Sequence, residues 1–306
     1  MSIFLRIGTR GSPLALIQAR EAQMLLARAH EVAPERIAVV VIRTSGDAIQ
    51  DRALSEAGGK GLFTKEIERA LVDGEIDLAV HSAKDMPTRL PAGLMLSAFL
   101  EREDARDALI APAARSLADL PRGAIIGTAA LRRQALIKRL RPDLQITLFR
   151  GNTETRLRKI AEGRAHATLL AAAGLKRLGM LDRASAILSE DEFVPAVGQG
   201  AICIETRIDD AATNRLVAAA DHRDTHLALA LERAFLDTLD GSCRTPIGGH
   251  AKVEADRVSF RGIILKPDGS EAHETLRSGA VAEAEAMGRS AAEELRERGG
   301  AAFFAH

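Results

Sequence analysis

Short β-branched runs alternate along the chain with longer stretches whose apolar residues recur every three or four positions, the pattern of strands alternating with helices. Leu5 to Pro13 reads as a strand, a tight turn and a helix start, with Ser12 at the N-cap and Pro13 at the first helical position. That helix runs to about His30, with Leu14, Ile17, Leu25 and Leu26 near one face. Arg36 to Thr44 follows as a strand so apolar that both its faces are expected to be covered, as in a parallel sheet. Ser45 to Gly61 is polar, glycine-spotted and without periodicity, which suits a functional flap or lid. Phe63 to Val72 is helical, Ile76 to Val80 a strand, and Leu94 to Leu100 another.

The charged run 101–107 is a candidate crossing between domains, after which the same plan repeats. Asp107 to Ala111 and Ala124 to Thr128 read as strands, the second leading into a helix that opens with Arg132 and Arg133. Leu144 to Phe149 is a strand, Arg150-Gly151-Asn152 a turn, and a helix starts at Thr153 carrying Arg156. Ala167 to Ala171 and a basic helical turn at 173–179 complete this part. The glycine-punctuated segment from Phe193 to Ile204 reads as a second crossing that ends in a strand, with Cys203 in its core. Thr225 to Leu239 is an amphipathic helix capped by Asp224 or Thr225. His250 to Ala255, Arg257 to Lys266 and His273 to Arg277 alternate as antiparallel strands, and a last helix covers about Val281 to Arg298. Two α/β units and a smaller C-terminal α+β unit are therefore expected, in keeping with a length of 306 residues.

Charge changes this picture. Lys plus Arg equals Asp plus Glu at 42 each, yet Arg122 to Arg183 holds fourteen basic residues against four acidic ones, which points to an anionic ligand. That segment has one aromatic, Phe149, and the chain has no Trp or Tyr, so the stacking platforms of a single-strand nucleic-acid binder are missing. A small polyanion fits better. The longest apolar run, Ile37 to Ile42, is too short for a membrane span, and two cysteines with no zinc-type cluster fit a reducing, cytoplasmic setting. No metal site is expected: His222 and His226 have helical metal-pair spacing but no third ligand near in sequence.

Two stretches carry candidate chemistry. His81-Ser82-Ala83-Lys84-Asp85-Met86-Pro87 lies at the carboxyl end of a strand, where open α/β sheets bind ligands. There Asp85, kept ionised by Lys84, is an acid/base candidate; the alternative is an ordinary turn before Pro87. Gly241-Ser242-Cys243-Arg244 places a thiol in a glycine-bounded loop beside an arginine, which reads either as a reactive sulfur or as a small buried apolar residue. Gly59-Lys60 lacks the remaining positions of a P-loop, although Lys60 could still meet an anion.

In order and spacing these motifs resemble those of the hydroxymethylbilane synthase (porphobilinogen deaminase) family. The resemblance rests on Arg6-Ile7-Gly8-Thr9-Arg10 with Ser12-Pro13-Leu14-Ala15, Gly59-Lys60-Gly61, His81 to Asp85, and Leu131-Arg132-Arg133-Gln134. It continues through Arg150-Gly151-Asn152, Ala173 to Arg177, Pro195 to Gly200, and Cys243 with Pro246-Ile247-Gly248. It implies two periplasmic-binding-protein-like α/β domains, 1–100 with 200–218 and 105–195, plus a C-terminal α+β domain with an antiparallel sheet, 222–306. It further implies a dipyrromethane cofactor in thioether linkage to Cys243, onto which four porphobilinogen units are condensed with loss of ammonia before hydrolysis frees hydroxymethylbilane. Asp85 is then the catalytic carboxylate. Arg6, Arg10, Ser12, Lys60, Ser82, Lys84, Thr128, Arg132, Arg133, Arg150, Arg156, Arg177 and Gln199 are the implied contacts to cofactor and substrate. The expected partner is porphobilinogen, with no nucleic acid and no membrane, and the expected state is a cytoplasmic monomer. The rival reading is a non-enzymatic polycarboxylate-binding protein, which leaves Cys243 unexplained.

The sequence departs from the family pattern at Glu56, where a basic lid residue is common, and at Ala129 and Ala130, which replace two serines and remove their hydroxyls. Ser242 replaces a glycine before the cysteine, and Glu154 lies in the turn between Asn152 and Arg156. The carboxylate, the thiol and the main arginines are all retained.

Overall fold

The computed structural model describes residues 3–48, 64–239 and 245–304. Lys60, Glu56, Ser242, Cys243 and most of the expected lid at 45–61 lie outside the described residues. The chain opens with β1 (Leu5–Thr9), α1 (Pro13–Ala29), β2 (Ile37–Val41), a short α2 (Ser45–Ala48), α3 (Lys65–Val72), β3 (Leu78–Ser82) and β4 (Leu94–Phe99). Next come β5 (Asp107–Ile110), β6 (Ile125–Gly127), α4 (Leu131–Leu140), β7 (Gln145–Thr147), α5 (Thr153–Ala161), β8 (Ala167–Ala171), α6 (Ala172–Arg177) and β9 (Ala186–Ile187). The last third contains β10 (Ile202–Arg207), α7 (Ala211–Val217), α8 (Arg223–Thr238), β11 (Ile247–Glu254), β12 (Arg257–Leu265), β13 (Ala272–Ala280) and α9 (Ala284–Phe304).

Two five-stranded sheets share one plan. The first has the order β2-β1-β3-β10-β4 and the second β7-β6-β8-β5-β9. In each, three strands run parallel, and a fourth, antiparallel strand is inserted before the edge strand. That inserted strand is where the chain passes between lobes: β5 is the chain arriving in the second lobe, and β10 is the chain returning to the first. Each sheet buries its own core, Ile7, Leu26, Leu78, Ile202 and Ile204 in the first and Leu109, Ile126, Leu136, Leu144 and Leu169 in the second. The third lobe is the antiparallel sheet β11-β12-β13 packed on α8 and α9 around Leu231, Phe235, Phe260 and Leu295.

Local sequence explains the element starts. Ser12 Oγ accepts the Ala15 N–H at 3.3 Å, and Asn152 Oδ1 accepts the Thr155 N–H at 2.8 Å, so both cap their helices. At α8 the cap is His222, not Asp224 or Thr225: its Nδ1 accepts the Thr225 N–H at 3.3 Å, so the helix begins two residues earlier than expected. Asp210 caps α7, a helix absent from the sequence reading, by accepting the Thr213 N–H at 3.0 Å.

The two crossings lie side by side because glycine permits it. Gly200 has φ +91°, and a Cβ there would fall 2.3 Å from the Glu103 carbonyl oxygen. The third lobe clamps this pair through Glu232 of α8. Its fully buried carboxylate takes a bidentate bond from Arg102 at 2.5 and 3.2 Å, the Gly198 N–H at 2.7 Å and the Ala251 N–H at 2.8 Å. One carboxylate thereby ties both crossings to β11, with its charge and hydrogen-bonding capacity satisfied.

Candidate active site

The carboxyl ends of β1 and β3 and the first turns of α1 enclose a cleft of about 450 Å³, counted with the solvent at its mouth. Arg10, Ser12, Gln18, His81, Ser82 and Asp85 are among its lining residues. β3 is buried from Leu78 through His81, its carboxyl end brings Val80, His81 and Ser82 to this edge, and a single 3₁₀ turn, Ala83–Asp85, then leaves Lys84 and Asp85 exposed. The Gln18 amide donates to Ser82 Oγ at 2.9 Å, fixing the hydroxyl against α1.

Among the described residues the second lobe contributes none to this lining, but it brings basic residues within electrostatic reach of Lys84 and Asp85 and so forms the facing wall. Arg132 and Arg133 open α4 and turn inward, each about one-twentieth exposed, onto the fully buried Asp107 at the start of β5. Arg132 donates to Asp107 Oδ2 at 2.8 Å and to the Val194 carbonyl at 2.7 Å. Arg133 donates twice to Asp107 Oδ1, at 2.6 and 2.9 Å, and to the Leu169 carbonyl at 2.8 Å. Burial pushes Asp107 up, but the charges and hydrogen bonds of the two arginines override it and hold the carboxyl at about 2. Arg156 of α5 is held by the Gly151 carbonyl at 3.0 Å. Burial, with Arg133 and Arg150 as like-charged neighbours, lowers it to about 10, and Asp85 of the first lobe opposes that shift from across the cleft. Thr128 lies buried just before α4 and accepts the Ala130 N–H at 3.2 Å; the helix itself starts after Ala130 without a side-chain cap.

Lys84 faces both walls. Withdrawal from water lowers its pKa from 10.5 to about 8; Asp85 opposes the fall, Arg133 adds to it, Asp107 opposes it and Arg132 adds to it. The residue as a whole is still exposed, so cleft water tempers the shift and its direction is what matters.

Not every expected residue comes here. Arg6 is paired with Asp77, Nη2 to Oδ1 at 2.6 Å and Nε to Oδ2 at 3.1 Å. It lies on β1, four residues before Arg10, which follows the strand's last residue, so it is roughly 13 Å away along the chain, at the opposite end of the sheet from the cleft. Arg177 bridges lobes by donating to Glu21 of α1 at 3.0 Å and to the Gly200 carbonyl at 3.1 Å. Gln199 is fully buried, with its amide engaged within the protein. Three groups beneath or beside the cleft escaped the sequence reading: Asp107, Gln18 and the buried pair His81–Glu205 at 3.1 Å. Gln18 had a visible signal, a polar residue one turn after Leu14 on an apolar helix face. Asp107 and Glu205 sit at strand positions whose partners come from far along the chain.

Two α/β lobes with a carboxylate on one wall, arginines on the other and a third lobe clamping the hinge define an enzyme-like cleft for a polycarboxylate. The donor set suits a dipyrromethane bearing acidic side chains, since Lys84 and Arg156 both lie within electrostatic reach of Asp85, and Arg132 and Arg133, held on Asp107, lie within reach of Lys84. The chain belongs to the porphobilinogen deaminase family: residues 5–215 match the family described as "Porphobilinogen deaminase, dipyromethane cofactor binding domain", and residues 226–297 match "Porphobilinogen deaminase, C-terminal domain". Over 302 residues it is 63% identical to the porphobilinogen deaminase of Nitrobacter hamburgensis, covering 99% of this chain and 96% of that one. The porphobilinogen deaminase of Nitrobacter winogradskyi is likewise 63% identical over the same shares of both chains. Among solved structures, a periplasmic substrate-binding protein of an ABC transporter from Coxiella burnetii aligns with a TM-score of 0.44 at 14% identity, covering 71% of this chain and 92% of that one.

Proposed function

We propose that this protein is a hydroxymethylbilane synthase that condenses four porphobilinogen molecules head to tail, with loss of ammonia, and hydrolyses the product to release hydroxymethylbilane. The observation that carries the reading is Asp85, set within electrostatic reach of Lys84 on its own lobe and Arg156 on the other. The dipyrromethane, held by a thioether to Cys243, supplies the carbon nucleophile that starts the chain. Lys84, Arg10, Ser12 and Ser82 on one wall and Arg132, Arg133, Arg150 and Arg156 on the other bind acetate and propionate groups, each charge-assisted bond contributing about 1.5–3 kcal/mol. Asp85 balances the positive charge left on substrate when ammonia departs and accepts the proton released from the ring carbon after attack. Thr128 and Lys60 complete the binding set. A non-enzymatic polycarboxylate binder would give neither Asp85 nor Cys243 a task.

The domain limits belonging to this reading are 1–100 with 200–218, 105–195 and 222–306. Among the described residues no helix is long and apolar enough to cross a membrane. The buried free thiol of Cys203 suits a reducing compartment, and the reading includes a cytoplasmic monomer. Intact-protein mass tests the assignment. Protein made in a porphobilinogen-producing host should exceed its sequence mass by one dipyrromethane, and Cys243→Ser should lack the excess. An unmodified wild-type mass would sink the reading.

A further inference from the structure

Gln199 stands among the residues expected to touch ligand, and its hydrogen bonds give it another task. The side chain is 1% exposed. Nε2 donates to the Ala105 carbonyl at 2.7 Å and to Asp107 Oδ1 at 3.2 Å, while Oε1 accepts from Lys84 Nζ at 3.3 Å. An amide has two N–H donors, and both are spent inside the protein. Its polarity suits the place: the oxygen faces a cation and the nitrogen faces a carboxylate. A glutamate would set a second negative charge against Asp107, and a lysine a second positive charge against Lys84.

The backbone is pinned as firmly as the side chain. Gly198 has φ +73°, with a Cβ there falling 2.9 Å from the Lys84 backbone nitrogen, and Gly200 is pressed against Glu103. Arg102 Nε donates to the Gln199 carbonyl at 2.9 Å. Gln199 therefore lies on the returning crossing, between Lys84 of one wall and the carboxylate that holds Arg132 and Arg133 on the other.

We propose that Gln199 is a positioning residue that sets the span between Lys84 and the Arg132–Arg133 pair, so that one ligand meets carboxylate-binding cations of both lobes at a fixed spacing. Gln199 itself touches no ligand. The inference rests on the functional reading above, in which these cations bind pyrrole carboxylates.

The test uses full-length enzyme carrying its adduct, with KM and kcat for porphobilinogen measured in wild type, Gln199→Met, Gln199→Asn, Lys84→Met and the Gln199→Met/Lys84→Met double variant. Methionine keeps the volume without the hydrogen bonds; asparagine keeps the amide but is one methylene short, and serves if the first variant does not fold. Either is expected to raise KM about tenfold with kcat within threefold of wild type, the scale of one lost hydrogen bond to a charged group. In the Lys84→Met background the Gln199 change should move KM less than threefold, because its effect passes through Lys84. An unmoved KM with lowered kcat or stability marks a merely structural residue, and fully multiplicative effects mark direct ligand contact; each overturns the inference. Wild-type protein that consumes no porphobilinogen overturns the functional reading and this inference with it, whereas wild-type turnover with an unmoved KM in the folded variants overturns the inference alone.

Discussion

Asp107→Asn removes one charge and almost no volume from a carboxylate with no exposed surface. It accepts from Arg132 at 2.8 Å, from Arg133 at 2.6 and 2.9 Å, and from Gln199 at 3.2 Å. Two guanidinium groups would be left around a neutral amide with a single acceptor oxygen, and removing one partner of a buried ion pair costs about 3–5 kcal/mol. Proton linkage gives a second figure. Lowering the carboxyl from 3.8 to about 2 corresponds to about 2.5 kcal/mol. Because the folded value is the lower one, this stability is fully present above pH ~4 and is lost as the pH falls through ~2. The chain has no Trp or Tyr, so urea unfolding is best followed by far-UV circular dichroism. Wild type and variant should differ by about 3 kcal/mol at pH 7, and the gap should close by about 1 kcal/mol at pH 3, where Asp107 is mostly protonated in the unfolded chain and still mostly ionised in the folded one. A gap under about 1 kcal/mol at pH 7, or one that does not narrow in acid, would refute Asp107 as the ionised counter-charge of both arginines.

Asp85→Asn should retain the dipyrromethane mass yet lose at least about 100-fold in turnover, as expected for removal of a general acid/base; near-normal product formation would remove Asp85 from the chemistry. Lys84 should give kcat/KM an alkaline limb below the ordinary lysine value of 10.5, activity falling as the ammonium loses its proton, and Lys84→Arg should abolish that limb because guanidinium stays charged. An unchanged limb in the arginine variant would assign it to another group.

Features that depend on a few adjacent residues were legible from sequence. Ser12-Pro13 specified the start of α1 because the cap and the proline act within one turn. The antiparallel strands of the third lobe and the two crossings showed through turn residues and charge. Partnerships across the fold did not show. Arg6 and Arg10 look equivalent in the opening motif, but a five-residue strand puts them at opposite ends of a sheet, and Asp77, 71 positions away, claims Arg6. Arg102 and Glu232 are 130 positions apart, and nothing short of the topology brings them together. Gln199 was legible as part of a motif, but its role depends on Lys84 and Asp107, which reach it from 115 and 92 residues away.

The inserted antiparallel strand in each sheet also dictates an order of assembly during synthesis. The second lobe's strands, β5 to β9, are contiguous between Asp107 and Ile187, so that sheet can close as soon as its own segment has emerged. The first lobe cannot: β10 lies between β3 and β4, and until residues 202–207 emerge the edge strand β4 has no neighbour to pair with. The lobe encoded first is thus completed second, and the hinge is fastened only when α8 delivers Glu232. The wall bearing Asp85 and Lys84 takes its final form against an arginine wall that is already built.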